Sequence, residues 1–153
     1  MNYTTKIPAE RSIAEISRML AQAGARAIMQ EMDGEGNVTS LSFKMILSQG
    51  GDPNTAREIG FRLPNNWQAI QQLNIEARRR NTKLGTYITE AEHCVGVSWR
   101  IIRDWIEAQL ALIAAQQART EEVFLPYAVT KSGRTLAEEV QANPQFLLGG
   151  GNE

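Results

Sequence analysis

The stretch SLSFKMIL, residues 40–47, leaves this chain little conformational choice. Leu41, Phe43, Met45 and Leu47 alternate with Ser40, Ser42 and Lys44. A helix would scatter the apolar set around its axis, whereas a strand gathers it on one face. The run from Val38 therefore predicts a half-buried strand with one face on a core and the other on water. Residues 59–64, IGFRLP, repeat the pattern in short form. Ile59, Phe61 and Leu63 share one side, Arg62 takes the other, and Pro64 ends the strand. A preceding strand is expected in ARAIMQEM, joined to the long one by DGEGN, where Gly and Asn accept positive φ. Short connections predict a three-stranded antiparallel sheet in sequence order, with helices on one face only.

The remaining segments carry helical periodicity. In PAERSIAEISRMLAQAG, Ile13, Ile16, Met19, Leu20 and Ala23 recur at helical spacing, Pro8 suits the first turn and Gly24 the stop. Asn65 or Asn66 can cap a helix over NWQAIQQLNIEARRR, with Trp67, Ile70, Leu73 and Ala77 as its buried stripe. The longest periodic run starts with a capping-box pattern, Thr89 with Glu92, and continues to about Leu125, before Pro126. A helix of about 36 residues would span roughly 54 Å. Two of its sides are apolar: Val95, Trp99, Ile102, Ile106 and Ile113 on one, Ile101, Trp105 and Leu112 on the other. The expected class is thus α+β, a three-stranded antiparallel sheet with a long C-terminal helix. Surplus apolar surface on that helix predicts homo-oligomerisation, with Trp105 and Leu112 at the contact. A second capping box, Thr135 with Glu138, announces a short helix, and residues 143–153 read as a flexible tail behind a single domain of residues 1–142.

At 153 residues, 42% hydrophobic and 22% charged, the chain has the composition of one folded domain rather than of a disordered segment. One cysteine, Cys94, leaves no internal disulfide and suits a reducing compartment. No segment reads as a signal peptide or a membrane span, so the expected location is the cytoplasm.

Catalytic patterns fail on inspection. Glu90 and His93 have the spacing of a helical di-iron ligand pair, but that site needs two such motifs and His93 is the only histidine. Asp33, Glu35 and Asn37 imitate the start of a calcium loop, yet Val38 and Lys44 stand where glycine and a bidentate glutamate are required. Adjacent His93 and Cys94 point apart on a helix. The carboxylate pairs Glu121–Glu122 and Glu138–Glu139 lie on exposed-looking helix faces. No enzyme, metal or cofactor is expected.

Charge is distributed unevenly. The formal net charge is −1, but residues 57–83 hold six basic against two acidic residues, and residues 84–153 five against nine. Ser40, Ser42, Lys44 and Arg62 share the open side of the expected sheet, where Arg26 and Gln30 could join them. Arg78, Arg79, Arg80 and Lys83 follow shortly after. Such a face can track a phosphate backbone. An ordinary solvated sheet face, and basic residues set against a helix dipole, explain the same residues without a ligand.

The phrases AEISRMLAQAGARAIM, LSFKM, FRLP and WRIIRDWIEAQLALIAAQQARTEEVFLPY resemble a family of small proteins from phages, prophages and integrated elements. The resemblance spans about residues 4–136 and carries no established activity. It implies a setting, mobile DNA in a bacterial host. Two functions fit that setting. One is an accessory protein binding single-stranded nucleic acid through Lys44, Arg62, Arg78, Arg79, Arg80 and Lys83. The other is a protein-binding module, such as an inhibitor of a host defence system.

Overall fold

The computed structural model describes residues 8–80 and 90–147. Helix α1 (Ala9–Gln22) leads into strands β1 (Arg26–Met32), β2 (Val38–Leu47) and β3 (Arg57–Pro64). Helices α2 (Trp67–Arg80), α3 (Ala91–Ala114), α4 (Thr120–Phe124) and α5 (Leu136–Ala142) follow. The sheet is antiparallel in the order β1-β2-β3, as the alternating strands require.

Leu41, Phe43 and Met45 of β2 and Phe61 and Leu63 of β3 form the buried face. Ile13, Ile16 and Leu20 of α1 and Val95, Trp99 and Ile106 of α3 close over it. Trp99 is fully buried, and its indole Nε1 donates to the Val38 carbonyl at 3.1 Å. That bond fastens the middle of the helix layer to the first residue of β2. Helix α2 lies against α3 through Ile70, which meets Cys94 and Val97. Its inward residues are Ile70 and Asn74, while Leu73, expected in the buried stripe, is 48% exposed. A helix resting on one neighbour buries a strip too narrow for both positions.

Turn chemistry follows the sequence closely. At Gly24 (φ 101°) α1 ends in a Schellman pair, Ala25 N–H to Leu20 O at 2.9 Å and Gly24 N–H to Ala21 O at 3.1 Å. In the β1–β2 hairpin the Asp33 carboxylate accepts from the backbone N–H of Glu35 at 2.8 Å and of Asn37 at 3.0 Å. Those donors hold its carboxyl below the usual range. Residues 33–37 are thus a self-bonded turn.

The expected 36-residue helix does not form. Helix α3 has 24 residues, is central rather than C-terminal, and stops at Ala115. Gln117 N–H bonds Leu112 O at 2.9 Å and Gln116 N–H bonds Ile113 O at 3.0 Å, the same Schellman pattern as in α1. Here the left-handed position is Gln116 (φ 60°), with no glycine to announce it. The chain then folds back through α4. Phe124 is buried against Phe43 (5.5 Å between ring centroids), Phe61 (5.9 Å) and Trp105 (5.8 Å). Tertiary packing of Phe124 selects the reversal, and Gln116 bears the strain. Replacing Gln116 with Gly should therefore stabilise the protein by about 1 kcal/mol. Chemical denaturation of parent and variant checks this, and a loss of stability would contradict it.

Beyond α4, Ala128 bridges to Phe61 and Val129 N–H donates to Gly60 O at 2.8 Å, so this segment rims the outer edge of β3. The capping box read from the sequence starts α5: Glu138 N–H to Thr135 Oγ1 at 3.2 Å and Thr135 N–H to Glu138 Oε1 at 2.7 Å. Thr89, proposed as the cap of the long run, lies outside the described residues, and Glu90 stands at the N-cap of α3 without a side-chain cap bond.

Candidate binding face

Strand register defines the sheet's open face. Residues paired across neighbouring antiparallel strands share a side. Arg26, Lys44 and Gly60 form one such row, Met29, Ser42 and Arg62 the next, and Glu31, Ser40 and Pro64 the third. Arg26 therefore joins Lys44 as expected. Gln30 does not: it pairs with Leu41 and lies on the helix side of the sheet. The cause is a bulge between Arg26 and Met29, with Ala27 at φ 52°. The extra residue inverts the alternation, bringing Met29 and Glu31 to the open face.

Carboxylates interleave with the cations of this face. Lys44 Nζ is 3.6 Å from Glu58 Oε1. Arg62 Nη2 donates to Glu138 Oε1 at 3.0 Å and to the Gly133 carbonyl at 2.9 Å. Ser40 Oγ donates to Glu31 Oε1 at 2.6 Å. The three cations Arg26, Lys44 and Arg62 thus stand among Glu31, Glu58 and Glu138, and the Arg62 guanidinium is already tied to the segment that leads into α5. The Thr135 backbone N–H and then Arg62 hold the Glu138 carboxyl below its ordinary range. Glu139 is lowered as well, by hydrogen bonds from Ser132 and Thr130 and by Arg134. This carboxylate pair organises the turn between Val129 and Thr135.

Arg78, Arg79 and Arg80 are exposed in the last turn of α2. The triplet ends a helix that rests on α3, the helix layer of the fold. Lys83 lies outside the described residues. Trp105 faces its own chain, with its ring against Phe124 and, at 5.6 Å, Tyr127. Leu112 is 42% exposed. The second apolar side of α3 is thus half-buried, Ile101 against the α2 contact and Trp105 against the returning chain, and both residues line an apolar cleft with Leu63, Pro64, Ile102 and Tyr127.

Other candidate chemistry stays dispersed. Among the described residues no group of three or more His, Cys, Asp and Glu side chains could hold a metal ion. Cys94 is buried, and burial, reinforced by Glu90, pushes its thiol up, away from the reactive thiolate. A cleft of about 1110 Å³ opens where α1, α3 and the β1–β2 hairpin begin, rimmed by Glu10, Glu35, Glu90 and Glu92. Carboxylates there complement the positive ends of two helices. No helix among the described residues is long and apolar enough to cross a membrane.

Comparison with protein-family models, curated proteins and solved structures gives no match. The functional reading therefore rests on the surface itself.

Proposed function

We propose that this chain is a non-enzymatic protein-binding module that acts in the bacterial cytoplasm on behalf of a phage or other mobile element, for instance by masking a host defence protein. The observation that carries this reading is the alternation of charge on the open sheet face. A phosphate backbone wants a row of uncompensated cations. Lys44 and Arg62 each have a carboxylate beside them, and Ser42, Met29 and Ile46 share their face. Mixed charge around small and flexible apolar side chains favours a protein surface of complementary pattern.

Single-stranded nucleic acid is the second reading, and Arg78, Arg79 and Arg80 favour it. Three adjacent exposed arginines point in different directions, and their mutual repulsion is a cost that a polyanion relieves.

One experiment separates the two readings. A photo-crosslinking side chain placed at Ser42, on the open face, should join the chain to a discrete host protein in cells. The same group at Gln68, exposed on α2, should not. Labelled single strands should fail to bind the purified chain even at low salt. The protein reading is lost if strands bind with a steep salt dependence and replacing the three arginines with Ala flattens that slope by about two units, at roughly 0.7 per phosphate contact.

A further inference from the structure

Strand β1 is one of the two outer strands of the sheet, and its far side meets no strand among the described residues. Exposed edges are usually blunted with charged side chains, proline or a β-bulge, and β1 has its bulge at the Arg26 end, ahead of Met29. The sequence of β1, RAIMQEM, has no lysine or proline. Instead it presents Met29, 56% exposed, and Met32, 62% exposed.

The bulge at Ala27 gives this edge a hidden symmetry. Arg26 stands opposite Lys44, Met29 opposite Ser42 and Glu31 opposite Ser40. Measured along β2, Arg26 and Glu31 are therefore equidistant from Met29, two positions to either side. Along β1 itself they are three and two residues away, and the bulge absorbs the difference. All three side chains share the open face. Arg26 has no carboxylate within ion-pair distance among the described residues, and its cross-strand neighbour Lys44 carries the same charge. Glu31 accepts from Ser40 and has no cation within ion-pair distance among them.

We propose that two copies of this chain pair edge to edge through β1, antiparallel about a two-fold axis at Met29, forming one six-stranded sheet. The axis sets Met29 beside Met29 of the second copy. It also sets each Arg26 opposite Glu31 of the other copy, so the unpaired cation and the unpaired carboxylate satisfy one another twice. An isologous contact demands a pattern that is its own complement on reversal, and this edge has one. An unrelated peptide added to the edge would need no such symmetry, which is why a second copy is the occupant. The pairing takes Arg26, Met29 and Glu31 from the open face and leaves Ser42, Lys44 and Arg62 of that face free for the partner proposed above.

The full chain at tens of micromolar should scatter light with about twice the monomer mass of 17.0 kDa. Met29→Cys should form an inter-chain disulfide under mild oxidation. Ile46→Cys, exposed on the same face of β2, should not. Arg26→Glu and Glu31→Arg should each weaken the dimer about tenfold, since two ion pairs become like-charge pairs. The double variant Arg26→Glu/Glu31→Arg should restore it. A monomer in the light-scattering measurement overturns the proposal. So does a dimer in which Met29→Cys cross-links no better than Ile46→Cys, or in which the double charge reversal fails to restore pairing.

Discussion

Replacing Trp99 with Ala should cost the fold about 3–5 kcal/mol, a large part of what a domain of this size possesses. The side chain is fully buried at the junction of α1, α3 and the sheet, so the void cannot drain to the surface. Its loss also strips the Val38 carbonyl of its 3.1 Å partner. The two contributions can be separated. Trp99→Phe keeps most of the apolar volume and removes only the donor, so its cost should be nearer 1–3 kcal/mol, roughly that of an unsatisfied buried carbonyl together with a small cavity. Urea denaturation followed by far-UV circular dichroism reads both. If Trp99→Ala is no worse than Trp99→Phe, the ring is not the keystone of the helix layer.

Phe124→Ala should cost a similar amount, roughly 3–5 kcal/mol, but with a different spatial signature. Phe124 belongs to a helix of five residues that cannot stand alone, and its ring meets Phe43, Phe61 and Trp105. Removing it should release the returning chain first. Backbone amides of Val129 and Leu136, which bond Gly60 O and Ala128 O, should lose protection from hydrogen exchange before those of β2 do. Trp105 emission should shift to the red as Phe124 and Tyr127 leave its ring. Leu125→Ala, next door and half exposed, should change stability by no more than about 0.5 kcal/mol. Equal loss of protection in β2 and in residues 128–136 would show that the segment is not a separable unit.

The C-terminal reversal is also where reading the sequence and reading the structure diverge. Beyond Gly96, residues 97–125 keep apolar residues at helical spacing with no Gly, Pro or Asn before Pro126, so local chemistry favours one continuous helix. The break at Gln116 has no local cause. It exists because Phe124 and Tyr127 find more buried surface against the sheet and Trp105 than a straight helix would give them in water. The same reversal sets Phe124 and Tyr127 against the ring of Trp105, which is half-buried at the margin of the core. Leu112 keeps its exposure, but by itself it offers little area.

What the sequence determined unaided was everything governed by a short period or a single residue's backbone preference. The alternation of Leu41, Phe43 and Met45 fixed β2 and its buried side, Gly24 the end of α1, the glycines of DGEGN the hairpin turn, and Thr135 with Glu138 the start of α5. What only the tertiary structure decided was which residues share a surface. Gln30 left the open face and Met29 and Glu31 entered it because one bulge at Ala27 reversed the phase of β1. Glu138, 76 residues from Arg62 along the chain, reached its guanidinium because Val129 pairs with the edge of β3. Helix α2, which ends in Arg78, Arg79 and Arg80, came to rest on α3 through Ile70. Periodicity records how a segment is half buried. It holds no record of phase slips or of contacts across the chain, since those are set by the free energy of packing elements that are distant in sequence.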